Sequence, residues 1–552
     1  MDTPHAYDAL VVGAGPTGLA MATDLIRHGL KVRQIDAARV PTDLSKAVVM
    51  MPRSLEEFHI RKLSQRALQL GVKVHTFSAF SNGQIIFHAE YKAVPSRYNY
   101  LVNIPQADTE MILREELAHL GGKIEWQTTL EDFKDTGDGV DVTIKEADGT
   151  ITTQRVTYLL GCDGAHSKVR HLLNLDFEGS AYTGSWMLAD IAIDWKMRDG
   201  HGYSFFCDDG LLAVFQMPGD RYRIYVLQTD KYILNREPTL DDLQMAVDRI
   251  APGVCKLSQP HWMSEFHCHH RRVKNYRKGN VFVAGDAAHI HSPESGLGMN
   301  TGMQDAFNLA WKLAYVQKGL CPPCLLDTYN SERSYVGEQV VALSDATHKM
   351  WAQFSWLGKW TREPLWRYFS NYYAHHHERM EEGLQIRIQY KPSNYVVHHS
   401  SHESVRDQNF EITAGGRALD GELQMPGNRE PVYLYDRLDP KRHHLMILVG
   451  HPHTQEAQDV IRELAEKTQP LREYLHLILI LPQQHGKIYE RFPGDVLLDP
   501  DMHFHFRYGS QRGALYVIRP DGYIGFASHP IRPEQLHEYL YRTFPKLVAP
   551  VK

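Results

Sequence analysis

The sequence predicts an α/β chain of mixed α+β character: a Rossmann-type unit with an inserted antiparallel β-sheet domain, followed by a separate C-terminal α/β domain. Three observations carry this. The N-terminus reads strand, glycine-rich turn, helix, strand, in YDALVV (7–12), GAGPTG (13–18), LAMATDLIRHG (19–29) and KVRQID (31–36). Residues 182–228 are β-branched and aromatic runs broken by Gly, Asp and Pro, which reads as a second sheet. After a polar stretch at 391–409, apolar strand-like runs resume at HHLMILVG and YLHLILILP around a helical QEAQDVIRELAEKT.

The remaining elements follow in order. Residues 105–120 carry Met111, Ile112, Leu117 and Leu120 at helical spacing. From 123 to 160 the pattern alternates, with turns at Asp138-Gly139 and Asp148-Gly149 that predict hairpin connections. NVFVAGDAAH (280–289) reads as a strand and turn, followed by a long helix from about Gly298 to Gly319 and another through LDTYNSERSYVGEQVVALS. Residues 350–390 read as helical and rich in Trp and Tyr, and 391–409 as a linker or surface crossing. The chain closes on a strand-turn-strand, GALYVIRPDGYIGFAS. The expected division is 1–75, 105–180 and 270–345 in the Rossmann-type domain, 76–104 and 181–269 in the inserted sheet, 346–408 as helical segment and linker, and 409–552 as the C-terminal domain.

Composition narrows the function classes. The 552 residues, 43% hydrophobic and 23% charged, suit a multidomain globular chain rather than a disordered, collagenous or coiled-coil one. Sixty Lys+Arg against 66 Asp+Glu leave a net charge of -6, so neither nucleic acid nor an anionic membrane surface is an expected partner. Six scattered cysteines (162, 207, 255, 268, 321, 324) do not make a disulfide framework and suggest a reducing, cytoplasmic setting. The N-terminus lacks an export pattern, and no apolar run approaches the ~18–20 residues of a membrane span.

Three motifs carry chemistry. Gly13, Gly15 and Gly18 form GxGxxG between a strand and a helix, with Pro16 and Thr17 inside it and Asp36 ending the next strand. The first glycine makes the turn, the second admits a pyrophosphate to the backbone, the third lets helix approach strand, and the acid accepts from ribose hydroxyls. The motif alone leaves FAD and NAD(P) open. The second is the Asp163-Gly164 turn of DGAHSKVR. The third is Gly285-Asp286 after the strand NVFV, then SPESGLGMN leading into a helix. A carboxylate closing a strand beside a helix N-terminus suits a ribityl chain and an electron-rich ring.

In series, GAGPTGLA, GCDGAHSKVR and VFVAGDAAHIHSPESGLGMNTGMQDAFNLAWKLA resemble the three fingerprints of the single-component FAD-dependent aromatic hydroxylases, the class A flavoprotein monooxygenases. SKAVVMMPRSLE (45–56), PQADTEMIL (105–113) and LLDTYNSER (325–333) are similar to family segments, and LQMPGNREP (423–431) with YVIRPDGYIGF (516–526) resembles the thioredoxin-like tail of the phenol and polyketide hydroxylase branch. The resemblance implies FAD as cofactor, NADPH or NADH as a transient donor, O2 as co-substrate, and hydroxylation of a small aromatic, phenolic or polyketide-like substrate through a flavin C4a-hydroperoxide. It implies that Gly13, Gly15, Pro16, Thr17 and Gly18 cradle the pyrophosphate, with Asp36 and Arg39 on the adenosine side. Arg53 and Gln106 would reach phosphates and ribityl chain, Gly285 and Asp286 would hold the ribityl hydroxyls, and Asp163 would serve FAD and NAD(P)H use. Gly296, Gly298, Met299 and Asn300 would meet the pyrimidine edge, with Pro293 near the reactive flavin edge as a catalytic position. Val48, Phe215, Met217 and Tyr225 would line the substrate pocket, Tyr225 also as a phenol-contacting catalytic group. Ser295 and Leu297 replace the usual Gly and Gln, and the apolar Val48-Val49-Met50-Met51 lacks the acid that the phenol branch uses there.

Other signals have plainer readings. Cys321-Pro322-Pro323-Cys324 falls in a loop that merely connects two helices, without a second CxxC, so neither a redox pair nor half a zinc site is expected there. The histidine clusters at 267/269/270, 375/376/377 and 398/399/402 have adjacent rather than converging residues, so no metal is expected. The aromatic helix around 351–373 suits interdomain packing, and a homodimer is compatible with the tail domain. Epoxidation, Baeyer–Villiger insertion and antibiotic inactivation are alternatives on the same fold; an FAD-containing regulatory protein without turnover is an alternative of another class.

Overall fold

The computed structural model describes residues 6–42, 47–182, 184–207, 210–228, 232–234, 236–266, 268–291, 296–351, 377–400, 412–450, 455–482 and 491–549. The first sheet has a parallel core in the order Val281–Val283, Ile151–Gly161, Tyr7–Val12, Val32–Asp36 and Ile124–Trp126. Its central strand is covered on both faces, with Leu10 and Val11 fully buried, as a parallel sheet under helices requires. Thr129–Asp135 and Val140–Lys145 add antiparallel to the first half of Ile151–Gly161 through the two predicted Asp-Gly turns. The predicted helices are Pro16–Arg27, Gln106–His119 and Gly298–Gln317.

The second sheet has seven strands: Cys255–Phe266, Ser185–Trp195, Tyr222–Gln228, Gly210–Gln216, His201–Cys207, Thr76–Ser81 and Gln84–Glu90. It is not wholly antiparallel, as the sequence suggested. His201–Cys207 pairs parallel with Thr76–Ser81, because that hairpin arrives from a distant upstream segment rather than through a tight turn. Alternation divides the side chains between two faces. Ile224, Val226, Leu212 and Val214 pack under Leu240–Ile250, a helix started by a Thr239–Asp242 capping box. Tyr225, Leu227, Leu211, Ala213 and Trp186 face the other way, toward Val48, Val49, Met51 and Leu297.

The C-terminal sheet runs Val397–Ser400, Ile524–His529, Ala514–Ile518, His443–Leu448, Leu475–Leu481, Asp495–Leu498, Glu422–Gln424 and Pro431–Tyr433. The stretch read as a linker thus supplies an edge strand, Val397–Ser400, parallel to Ile524–His529; its Tyr395-Val396-Val397 run is apolar enough to pack. Residues 352–376, with most of the expected aromatic helix and with His375 and His376, lie outside the described residues, as do His267 and His402.

A buried ionic seam joins this region to the rest. Arg417 pairs with Glu56 at 3.0 Å, and Arg519 holds both Glu332, at 2.7 Å and 2.9 Å, and Asp521. Lys312 reaches the same Glu332 carboxylate at 2.7 Å. Each is at least 96% buried, so the charges persist only because each is paired.

Candidate active site

The glycine turn has the geometry its pattern implies. Gly13 sits at φ +107, where a side chain would also overlap the Cys162 carbonyl. A Cβ on Gly18 would overlap the Gly13 carbonyl, whereas Gly15 faces open space. The helix begins directly after it, with Pro16 at its start and no side chain capping its first amides. A pyrophosphate at Gly15 therefore has backbone amides and the helix dipole to meet. Asp36 lies across this turn, its Oδ2 accepting from Ala14 N–H at 2.6 Å and its Oδ1 from Ala38 N–H at 2.7 Å. Gln34 Nε2 donates to the Gly13 carbonyl at 3.0 Å. Arg39 is exposed just beyond.

The third motif closes on the same place. Gly285, at φ +59, and Gly302, in the long helix, both abut Thr17, whose hydroxyl occupies the space a Cβ at either position would need. Two missing side chains thus bring the glycine-turn helix, the strand end and the long helix together. Asp286 is exposed in a run that is otherwise buried from Val281 to His289. Behind it, fully buried Asp305 accepts from Gly285 N–H at 3.0 Å, from His289 Nε2–H at 2.8 Å and from Arg333 Nε–H at 2.7 Å. Burial pushes the Asp305 carboxyl up, but Arg333 and His289 outweigh it and hold it below the ordinary aspartate value.

The start of the long helix is tied to the segment around residue 50. Asn300 donates to the carbonyls of Val49 and Gly296, both at 2.9 Å, and accepts from Met51 N–H at 2.9 Å. Its side chain is thus spent within the protein, contrary to the expected flavin contact, because the segment lies directly against the helix terminus. Gly296 takes φ +63 in the loop, and Gly298 and Met299 are half-buried beside it. Pro293 and Ser295 lie outside the described residues. Gln106 accepts from Ala47 N–H at 3.3 Å and donates to Glu110 at 2.9 Å, fastening the other end of the segment.

One further expectation resolves differently. Arg53, expected at the cofactor phosphates, is fully buried against Glu56 at 3.0 Å, Glu57, the Asp521 carbonyl at 2.8 Å and the Tyr523 ring at 4.6 Å. It is part of the seam, drawn there by two acids on its own helix. Asp163 caps the short helix Lys168–Leu172, accepting from Ser167 Oγ at 2.5 Å and from Lys168 N–H and Val169 N–H at 2.7 Å and 3.1 Å. Burial raises its carboxyl against these hydrogen bonds.

The second face of the seven-stranded sheet packs in one apolar cluster with the segment around residue 50 and with Leu297 at the start of the long helix. Val48, Met217 and Tyr225 belong to one apolar cluster there, with Phe215 packed on it. Tyr225 meets Trp186 and Phe215 edge-on, with ring centroids 6.4 Å and 5.6 Å apart, and burial raises its phenol pKa. Arg223 next to it pairs with Asp190 through two 2.6 Å contacts and donates to the Ala47 carbonyl at 3.1 Å. Cys321 is buried and Cys324 exposed, both as free thiols.

Sequence reading missed Asp305, His289 and Arg333. One signal was available: Asp305, Asn308 and Lys312 recur at three- and four-residue spacing in an otherwise apolar helix, a polar stripe that burial would force to find partners.

Comparison with known proteins agrees with this geometry. Residues 6–344 match the family model described as FAD binding domain. The chain is 30% identical to pentachlorophenol 4-monooxygenase of Sphingobium chlorophenolicum over 93% of this chain and 92% of that protein. It is 38% identical to 6-methylpretetramide 4-monooxygenase of Streptomyces rimosus over 60% of each. The fold is similar to that of the flavin-dependent monooxygenase PieE, solved with FAD and substrate, at 20% identity and a TM-score of 0.80, covering 97% of this chain and 99% of that one.

Proposed function

Because the chain belongs to the family of class A FAD-dependent monooxygenases, we propose that it hydroxylates a phenolic or polyketide-like aromatic substrate, with NADPH or NADH as electron donor. The supporting observation is convergence: the glycine turn, the Gly285-Asp286 turn and the long-helix terminus meet around Thr17, under the apolar face that carries Val48, Met217 and Tyr225.

Gly13, Gly15, Gly18 and the helix terminus would hold the FAD pyrophosphate, Asp36 the adenosine ribose and Asp286 the ribityl hydroxyls. Bound FAD supplies electron transfer from the nicotinamide and the activation of O2. The chain's own contribution is orientation and exclusion of water: the apolar face places an aromatic ring, and Val48 to Met51 offer no base. Buried Tyr225 remains a neutral phenol, able to donate one hydrogen bond. For the tail, a thioredoxin-like fold is supported by the order Leu475–Leu481, His443–Leu448, Ala514–Ile518, Ile524–His529, a parallel pair followed by an antiparallel hairpin and the helix Pro533–Thr543. No cysteine follows Cys324, so the tail carries no dithiol.

The test is NAD(P)H oxidation in air by the purified flavoprotein against phenols, salicylates and polyketide aromatics, with H2O2 followed in parallel. Substrate-stimulated oxidation with little peroxide, and a product heavier by one oxygen atom, supports the proposal. Stimulated oxidation giving an epoxide or an ester would replace hydroxylation by the corresponding insertion. Bound FAD with no stimulation by any compound favours the regulatory reading.

A further inference from the structure

We propose that Asp305 is a positioning residue for the flavin-holding turn, and that the C-terminal region takes part in that positioning through Arg519 and Glu332. The inference rests on the assignment of Gly285 and Asp286 to FAD.

A fully buried carboxylate in the middle of a helix is costly unless every lone pair is used. Asp305 uses its two oxygens on two different elements. Its Oδ2 takes the amide of Gly285, the residue directly before Asp286, together with His289 Nε2–H just after the turn. Clamping the turn at both ends fixes the direction in which Asp286 leaves the strand. Its Oδ1 takes Arg333, whose guanidinium also donates to the Thr301 carbonyl at 3.2 Å, in the first turn of the long helix. One carboxylate and one guanidinium thus lock the strand-end turn to the helix terminus, the two elements that converge on the flavin.

Arg333 is held from the opposite side. It sits in the single π-helical turn Asn330–Ser334, a kind of distortion often found at functional positions. The turn buries both Glu332 and Arg333. Glu332 receives Arg519 through both oxygens, along with Lys312 and Asn308 Nδ2 at 2.7 Å. From Asp521 and Arg519 the pairing passes to Glu332 and Asn308; Asn308 Nδ2 and Arg333 Nη1 each donate to the Tyr390 hydroxyl at 3.3 Å, and Arg333 carries it on to Asp305 and Gly285. Packing alone would be served equally well by apolar side chains. What this chain of groups adds is direction, because each member has one geometry that satisfies its neighbour.

The experiment compares full-length wild type with Asp305→Asn, Arg333→Lys and Arg519→Lys. FAD affinity is measured by quenching of flavin fluorescence on titration of the apoprotein, the flavin environment by visible circular dichroism, and fold integrity by thermal unfolding. Asp305→Asn and Arg333→Lys are expected to weaken FAD binding roughly tenfold or more and to change the visible dichroism. Arg519→Lys is expected to move both readouts in the same direction by a smaller factor. Unchanged affinity and dichroism alongside a lowered melting temperature would reduce these residues to a structural role and overturn the inference. If Asp305→Asn does not fold, the two lysine variants decide, since each retains its charge. Wild type that takes up no FAD would overturn the functional reading as well; wild type that binds FAD, with variants that match it, would overturn this inference alone.

Discussion

The Thr17 hydroxyl occupies the space that a β-carbon on Gly302 would need, so the glycine-turn helix and the long helix meet there without an intervening side chain. Gly302→Ala is expected to push the helices apart, costing about 1–3 kcal/mol of stability and weakening FAD binding. Adding Thr17→Ala should restore room and recover part of both losses. Thermal unfolding and FAD titration of the two single variants and the double variant check this, and strictly additive losses would contradict it.

Asp286 is exposed at the end of a buried strand. Asp286→Ala is expected to purify largely without FAD, read from the ratio of flavin to protein absorbance. A fully yellow variant would remove the ribityl role.

Glu332 gives the acid limb of stability a specific source. Burial would raise its carboxyl, but Arg519 and Lys312 hold it down at about 2, from an ordinary 4.5. A depressed folded-state pKa stabilises above the unfolded value and loses that contribution as pH falls through the folded one. The stability gap between wild type and Glu332→Gln should therefore be widest above pH 4.5 and narrow toward pH 2, by on the order of 3 kcal/mol. Denaturant unfolding across pH 2.5–6 measures the gap, and a constant gap would refute this source.

Tyr225→Phe keeps the edge-on contacts with Trp186 and Phe215 and removes only the hydroxyl. The expected outcome is unchanged FAD binding with a fall in kcat/KM for the aromatic substrate, about tenfold for one lost hydrogen bond. Steady-state kinetics equal to wild type would leave Tyr225 as packing.

Cys324→Ser should leave NAD(P)H oxidation unchanged. Cys321 is buried with its thiol pushed up by that burial, and Cys324 is exposed with its thiol 3.4 Å from the Tyr395 hydroxyl. A large loss of turnover would reopen a dithiol role.

The glycine turn, the strand-ending acids and the order of elements were legible because each depends on residues close in sequence. Gly18 is required by a contact with the Gly13 carbonyl inside one βαβ unit, and Gly13 by its positive φ, although a side chain there would also meet the distant Cys162 carbonyl. Arg53 was misread because its surroundings include a carbonyl 468 residues away, and Asn300 because its partners lie about 250 positions upstream. The parallel pairing of His201–Cys207 with Thr76–Ser81 was likewise invisible, since periodicity marks strands without naming their neighbours.

The seam also sets a timetable for synthesis. Glu56 and Glu332 leave the ribosome beside their local cations Arg53 and Lys312 but well before Arg417 and Arg519, their second partners in the native interior. The strand Tyr7–Val12 likewise waits for Ile151–Gly161 before one of its flanks is paired. A nascent chain that has completed its first sheet can pair Glu56 with Arg53 and Glu332 with Lys312, but each carboxylate gains its second buried cation only from the C-terminal region. A segment made late is in this sense one that helps to close a segment made early.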